Sequence, residues 1–527
     1  MSVRKNPFQN AASDIPSAVV VFLVALPLCL GVALGSNAPL FSGIIAGVVG
    51  GLIIGALSGS SLSVSGPAAG LTAVVAVAIG KMPAFEAFLL SVVIAGALQI
   101  LFGFLRAGVI GDYVPNSVIR GMLAAIGIIL ILKQLPHFVG YNKDFQGDEA
   151  FLQIDRKNTF SELVYSVNAL SPGAILIGLV SLALLWIWNL KFFKSKKIFT
   201  YIPGPLVVVT AGIIMTALLG KAGGPFDIDP EGMVKLPVTD GLSSAAGLLR
   251  WPQWNYLGHA EVWITGLTIA LVASLETLLS IEAIDKLDPY NRSTPTNREL
   301  KAQGVGNLIS GLLGGLPITS VIVRSSANLH AGAKSRLSTM LHGLFLLLSV
   351  LFIPGLLNMI PLSALAAILI ATGYKLAKPT LFVEFHRKGW DQLVPFVVTI
   401  LAILLTDLLI GILVGMGVSL FFLLRSNFRS AVMIVHDDNK YLMRFRKDVS
   451  FLNKPIVKEK LEAVPKNSFV LIDLTRADFI DKDIIDVVNE FLHHAHLKNI
   501  QVEVKKSSFK SLHQLVGEQP GAGEKAA

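Results

Sequence analysis

One acidic side chain lies deep within an apolar stretch of the sequence. Glu276 stands in residues 263–280 (WITGLTIALVASLETLLS), which are long enough to cross a bilayer as a helix. A carboxylate at that depth costs about 2.5–3.5 kcal/mol on insertion scales. A chain retains such a group where it faces a polar cavity, pairs with a cation or carries a proton.

Ser280 follows Glu276 at i+4, so its hydroxyl would share one helix face with the carboxylate. With loose backbone carbonyls, such as that of Gly315, these groups would form an oxygen-rich site for Na⁺. Alternatively, Glu276 alone takes up H⁺, which burial favours. Two structural roles also stay open, a bond to a neighbouring helix and an ion pair with Arg324.

Two other segments are interrupted by Gly and Pro at corresponding places in the two halves of the chain. They are residues 59–70 (GSSLSVSGPAAG) and 314–320 (GGLPITS). Pro67 and Pro317 cannot continue a helix backwards, because proline lacks an amide hydrogen and clashes with the preceding turn. Each is therefore predicted to begin a half-helix within the membrane, a pattern typical of transporters with a midplane site.

A helix start presents unpaired amide hydrogens and a partial positive charge, so two starts aimed at one point favour an anion. Arg324 lies one turn beyond the second start and would add positive potential. Alternatively, the interruptions are ordinary kinks and Arg324 extends towards the interface. The predicted amide donors are those of Ala68, Ala69 and Gly70 on one side and of Ile318, Thr319 and Ser320 on the other.

Membrane-spanning helices must position these residues, and the amino-acid composition indicates that the chain has many of them. The 527 residues are 53% hydrophobic and only 15% charged, which indicates an all-α polytopic membrane protein. Hydropathy and turn signals predict about fourteen spans. They are residues 15–34, 40–57, 64–79, 84–105, 116–134, 170–190, 204–220, 261–282, 300–313, 318–332, 337–354, 360–374, 391–406 and 408–425.

The positive charges orient these spans. Lys and Arg concentrate in alternate loops, including the run at residues 191–197, while the other loops hold far fewer. This bias places both termini in the cytoplasm and the protein in the cell (inner) membrane. The net charge of +9 is explained in the same way, and no nucleic-acid-binding motif appears. The single cysteine, Cys29, excludes an intrachain disulfide.

The composition changes after residue 429. Residues 430–515 alternate short β-like runs with the amphipathic run 483–496, which predicts a small cytoplasmic α/β domain. Residues 516–527 are predicted to be a disordered tail. The preceding residues, 1–429, would form the transmembrane domain.

The motifs resemble those of the SulP family of anion permeases over nearly the whole length. They include SVSGPAAG in the third span, SLETLLS in the eighth, and NREL at residues 297–300, followed by GGLPITSVIVRSSANLHAGAKS. The resemblance implies two inverted seven-span repeats, about 14–220 and 261–425, in a uracil-permease-like core and gate fold. It also implies a homodimer, an elevator-like movement, and anion binding at the amides and Arg324 named above.

The resemblance is incomplete at two places. Bicarbonate permeases of the family carry Asp and Thr where Glu276 and Ser280 stand here, and use them for Na⁺. The C-terminal domain is similar to a STAS domain at residues 470–483 (VLIDLTRADFIDKD), but Lys482 follows Asp481 where regulatory STAS proteins carry a phosphorylated Ser or Thr. A structural or dimer-stabilising role is therefore expected for this domain.

Secondary-active transport of sulfate or bicarbonate, coupled to Na⁺ or H⁺, is the leading hypothesis. No ATP-binding loop is present, so an ion gradient must supply the energy. Alternatives are anion exchange at the same site, nucleobase permeation on the same fold, and a membrane sensor. No nucleophile–base pair or metal triad indicates an enzyme, and no cofactor beyond a bound Na⁺ is expected.

Overall fold

A computed structural model describes residues 7–142, 159–168, 170–188, 190, 202–222, 226–236, 247–429 and 431–517. The chain divides into two units, Met1–Met416 and Gly417–Ala527. The division falls thirteen residues before the boundary expected at 429/430, because one helix, Leu408–Arg429, runs through both positions. The basic run at residues 191–197 and residues 518–527 of the predicted tail lie outside the described part.

The first half of the membrane unit consists of apolar helices around one interrupted segment. Gly51 packs against the backbone of Gly343, where a Cβ would lie only 2.5 Å from the Gly343 Cα. The helices are α1 (Ala11–Gly35), α2 (Leu40–Val49, prolonged to Leu57), α3 (Thr72–Lys81), α4 (Phe85–Phe104), α5 (Asn116–Val139), α6 (Thr159–Val167), α7 (Pro172–Trp188) and α8 (Gly204–Ala222).

The second half of the membrane unit also consists of helices around one interrupted segment. Its helices are α9 (Ala260–Leu287), α10 (Thr296–Leu313), α11 (Ile322–His330), α12 (Leu337–Phe352), α13 (Pro354–Leu357), α14 (Leu362–Leu376), α15 (Pro379–Arg387), α16 (Trp390–Leu405) and α17 (Leu408–Arg429).

Within the described residues, seven helices are long and apolar enough to cross a membrane. The bent pair Ser161–Val167 and Pro172–Trp188 would make an eighth span. Four further apolar helices are shorter, at 10–17 residues. Twelve of the fourteen predicted spans overlap one of these segments, and the other two, 300–313 and 318–332, overlap α10 and α11. The exact number of membrane crossings stays a prediction. The sequence pattern did not predict the helices α6 and α15.

The half-helices do not begin where the prolines predicted. Helix α3 begins at Thr72 and α11 at Ile322, several residues after Pro67 and Pro317. The intervening residues form two strands, β1 (Ser65–Pro67) and β2 (Ile318–Ser320). The strands pair antiparallel, with Gly66 opposite Thr319. Because each extended segment provides the other with backbone partners, helix formation is delayed until the strands end.

Helix α10 approaches α4 closely enough to exclude side chains between them. A Cβ on Gly96 would lie 2.4 Å from Leu308 N, and one on Gly304 would lie 2.6 Å from Gly96 O. Glycines at these two crossing points therefore allow near contact of the helix backbones. The polar face of α10 is in this way fixed beside the paired strands.

The second unit contains a four-stranded sheet in the order β3–β4–β5–β6. A hairpin joins β3 (Val432–Asp437) to β4 (Lys440–Phe445), and β5 (Phe469–Asp473) and β6 (Gln501–Lys505) continue the sheet in parallel. Helices α18 (Lys454–Glu462) and α19 (Lys482–His494) connect the parallel strands. The strands and α19 lie where the sequence placed them, whereas α18 was not predicted. Asp481 caps α19 by accepting a hydrogen bond from the Asp483 amide (3.1 Å).

Candidate functional site

The two interrupted segments meet at the β1–β2 pair in the membrane unit. The Val321 amide donates to Val64 O (2.9 Å), which extends the ladder by one residue pair. The Val64 amide donates to Ser325 Oγ (2.8 Å), and Asn328 Nδ2 donates to Leu62 O (2.9 Å). The extended strand before α3 is thus joined to the face of α11, and the two halves of the chain form one site.

A buried polar stripe on α10 holds this crossing in place. Glu299, Gln303, Asn307 and Ser310 are all fully buried. Gln303 Nε2 donates to Ser65 Oγ (2.7 Å) and to Glu299 Oε1 (3.0 Å). Asn307 Nδ2 donates to Ile318 O (2.9 Å), and the Ile318 amide donates to Asn307 Oδ1 (2.6 Å). One helix face therefore positions both strands.

The amides on the second side of the predicted anion site are already bonded. Ile318 N donates to Asn307, Ser320 N donates to Thr277 Oγ1 (3.2 Å), and Thr319 pairs with Gly66 in the ladder. The expectation that this segment offers free amides assumed a helix start at Pro317. The strand uses these amides instead, so here they shape the site and do not point freely at a ligand.

The amides on the first side have a different environment. Ala68 is fully buried, and the chain turns through a short 3₁₀ helix from Ala69 before α3 begins. The amides of Ala68, Ala69 and Gly70 have no hydrogen-bond acceptor among the residues that the structure describes. Gly70 is exposed. These three amides could therefore donate to a ligand, and their role in binding an anion stays a prediction.

Arg324 is the most unusual charge in the membrane unit. It is 1% exposed, and its Nη2 donates one long hydrogen bond to Pro67 O (3.3 Å). Its Nε and Nη1 have no hydrogen-bond partner among the described residues. A Cβ on Gly66 would lie 2.1 Å from Nη1, so the guanidinium packs directly on the β1 backbone. A buried cation with unused donors is costly, and an anion would offset that cost.

Glu276 reaches the same segment from α9. A Cβ on Gly70 would lie 3.0 Å from Glu276 Oε1, so the carboxylate lies against the helix start that carries the open amides. Ser280 is buried one turn further along α9. The hydroxyl of Thr277, the residue after Glu276, accepts a hydrogen bond from the Ser320 amide, which joins α9 to β2. A carboxylate and a guanidinium therefore approach residues 66–70 from different elements.

Gly315 lies in the turn after α10, where its amide donates to Ser310 O (2.7 Å). A side chain there would collide with Ser310 and Ile45. The structure gives no contact between Gly315 and Glu276 among the described residues, so its place in a cation site stays a prediction.

Sequence reasoning missed the residues that build this frame. Glu299, Gln303 and Asn307 recur every four residues along α10. That spacing places them on one face, and a polar stripe of this kind in a membrane helix is the signal that would have indicated them.

Comparison with known proteins places this geometry in context. The model of the sulfate permease family matches residues 12–401. The protein YvdB of Bacillus subtilis (strain 168) is 26% identical over 84% of this chain and 79% of its own length. The bicarbonate transporter BicA of Picosynechococcus sp. is 26% identical over 78% of this chain and 70% of its own. Sulfate transporter 4.1 of Arabidopsis thaliana is 22% identical over 93% and 74%.

Two solved structures share the fold. The transmembrane domain of a cyanobacterial BicA has a TM-score of 0.55 at 24% identity, covering 78% of this chain and 98% of that one. The overall structure of SLC26A9 has a TM-score of 0.65 at 16% identity, covering 97% and 87%. At these identities the likeness concerns the fold alone.

Proposed function

This chain belongs to the sulfate permease family, and from that premise we propose that it transports a small inorganic oxyanion, sulfate or bicarbonate, by secondary-active symport with Na⁺ or H⁺. The family and the apolar helices make it a multi-pass membrane transporter. The substrate, the coupling ion and the site residues are the proposed part. Its relatives include a bicarbonate transporter and a sulfate transporter.

The observation that carries the proposal is the buried Arg324. Its two nitrogens without acceptors lie at β1, close in sequence to the open amides of residues 68–70. A dianion or a bicarbonate ion has several acceptor oxygens, which match a guanidinium and a row of amide donors. Thr319 and Ser320 would add hydroxyl groups from β2. An uncharged substrate would leave the buried charge uncompensated.

Glu276 is the proposed coupling group. Its carboxylate at Gly70 lies on the segment that carries the anion donors, so neutralising it would favour anion binding there. Either Na⁺, held with the Ser280 hydroxyl, or H⁺ would provide that neutralisation. Anion exchange would use the same donors without requiring this carboxylate.

The movement and the assembly are proposed from the fold likeness and the motif resemblance. One group of helices, carrying both interrupted segments, would move against the rest in an elevator-type alternation between inward and outward access. The C-terminal sheet would serve as a STAS-like domain in a homodimer, with both termini cytoplasmic. The proposed cellular location is the inner membrane.

The direct test uses purified protein in liposomes with radiolabelled bicarbonate and sulfate under imposed Na⁺ or H⁺ gradients. We expect one anion to accumulate against its gradient with one of the two cations. Uptake that depends only on a counter-anion inside the vesicle would instead make the protein an exchanger. Flux of neither anion would contradict the proposal.

A further inference from the structure

A cavity of about 360 Å³ lies among α1, α7, α8, α11 and α14. Of the fourteen described residues that line it, three are polar, namely His330, Thr372 and Lys375. The other eleven are aliphatic, aromatic, glycine or proline. The Thr372 hydroxyl already donates to Ile368 O (2.9 Å). The cavity is therefore apolar apart from one imidazole and one ammonium group.

One polar atom of this cavity, the buried His330 Nε2, has no hydrogen-bond partner in the described part of the chain. The indole N–H of Trp188, by contrast, donates to Ile202 O (3.0 Å), so Trp188 offers only its ring to the cavity. A ligand would therefore meet its hydrogen-bonding and charged groups at His330 and Lys375.

The cavity lies where several helices end. His330 is the last residue of α11, Trp188 the last of α7, and Lys375 the last but one of α14. The sequence places these ends on the cytoplasmic side, because the chain beyond α7 and α14 is rich in lysine. A membrane-spanning helix that ends there brings these residues to the depth of the lipid headgroups.

We propose that this cavity binds an anionic phospholipid, with its phosphate at His330 and Lys375 and an acyl chain along the apolar wall. A free inorganic ion fits less well, because it would lose its water on all sides and gain donors only at one end. Lysine at this depth favours anionic headgroups, and the apolar wall accounts for the acyl chain.

A lipid bound in this cavity would also affect the proposed anion site. Ala327 and His330 line the cavity, and they belong to the same half-helix, α11, that carries Arg324. A lipid wedged against α11 would favour one position of that helix and so alter substrate affinity. This second consequence rests on the proposed function, whereas lipid binding itself does not.

The experiment measures thermal unfolding of the full-length protein in a neutral detergent. Phosphatidylglycerol is titrated against phosphatidylcholine with the same acyl chains. We expect phosphatidylglycerol alone to raise the apparent Tm, and the double change His330→Gln with Lys375→Gln to weaken its apparent affinity about tenfold or more. Arg387→Gln is the matched control, because Arg387 is exposed and does not line the cavity. An equal loss in that control would overturn the proposal.

Two further variants separate the alternatives. Ala371→Phe fills the cavity without changing the charge and is expected to abolish the lipid-induced Tm shift. Retained binding in Ala371→Phe would show that the lipid lies elsewhere. Protection of the wild type, but not the double variant, by inorganic phosphate alone would identify a small-anion site and overturn the lipid assignment. Arg324→Met should keep the lipid response, so failure of the transport proposal is distinguishable from failure of this one.

Discussion

The two interrupted segments occupy equivalent places in the two halves of the chain, yet they provide different chemistry. The first, around β1 and the start of α3, has open amides, an exposed Gly70 and a neighbouring carboxylate in Glu276. The second, around β2 and α11, has its Ile318 and Ser320 amides bonded within the protein and contributes Arg324, which is fully buried. The first segment thus contributes backbone dipoles, and the second contributes a formal charge.

This asymmetry would allow a carboxylate to lie beside the proposed anion site. Glu276 lies against the first segment, which has no formal positive charge of its own among residues 65–71. Arg324 packs on Gly66, four residues before Gly70. The net charge near β1 therefore changes by one unit when Glu276 binds a cation, and anion affinity should follow that change.

Glu276→Gln should have the largest effect. The amide keeps the size of the side chain but holds neither Na⁺ nor a transferable proton, so gradient-driven accumulation of the anion should be abolished. Downhill anion flux should persist, because the donors of both segments remain. The measurement is uptake in liposomes with and without a cation gradient. Unchanged accumulation would remove the coupling role from the first segment.

Arg324→Met should weaken anion binding about 10- to 100-fold, since a charge-assisted hydrogen bond contributes about 1.5–3 kcal/mol. The buried charge has unused donors, so its loss should not lower the Tm measured without anion. The anion-induced rise in Tm should disappear. If cation dependence changes and anion affinity does not, the roles of the two segments are reversed.

Gly66→Ala and Gly70→Ala form a matched pair within the first segment. A Cβ at position 66 would collide with Arg324 Nη1 at 2.1 Å, whereas one at position 70 would meet Glu276 Oε1 at 3.0 Å. We expect Gly66→Ala to lower anion affinity by about tenfold and Gly70→Ala mainly to shift the cation dependence. Each is measured as the half-saturating concentration of one ion at a fixed concentration of the other. Identical effects would mean that the segment responds as one unit.

The sequence predicted only part of the structure of these two segments. Hydropathy located the helices, and proline and glycine located both interruptions, because these signals are local. The pairing of β1 with β2 joins residues about 250 positions apart, and no local pattern indicates it. The same holds for the two hydrogen bonds between the Asn307 side chain and the backbone of Ile318. The helix start predicted at Pro317 would have left the Ile318 amide unbonded, whereas here it donates to Asn307.

Ser280→Ala should have the smallest effect and the most specific meaning. Ser280 is buried one turn after Glu276, and its hydroxyl would supply one neutral ligand in the proposed Na⁺ site. Loss of one neutral ligand should raise the half-saturating Na⁺ concentration by about three- to tenfold, in keeping with a net hydrogen-bond-sized contribution. A proton needs no second ligand, so an H⁺-coupled protein should keep its pH dependence in this variant. Because Glu276→Gln should abolish coupling to either cation, the Ser280→Ala variant is the one that distinguishes Na⁺ from H⁺. A shifted Na⁺ dependence with unchanged anion affinity would place the cation on the α9 side of the first segment. A change in anion affinity alone would instead mean that Ser280, like Arg324, binds the anion.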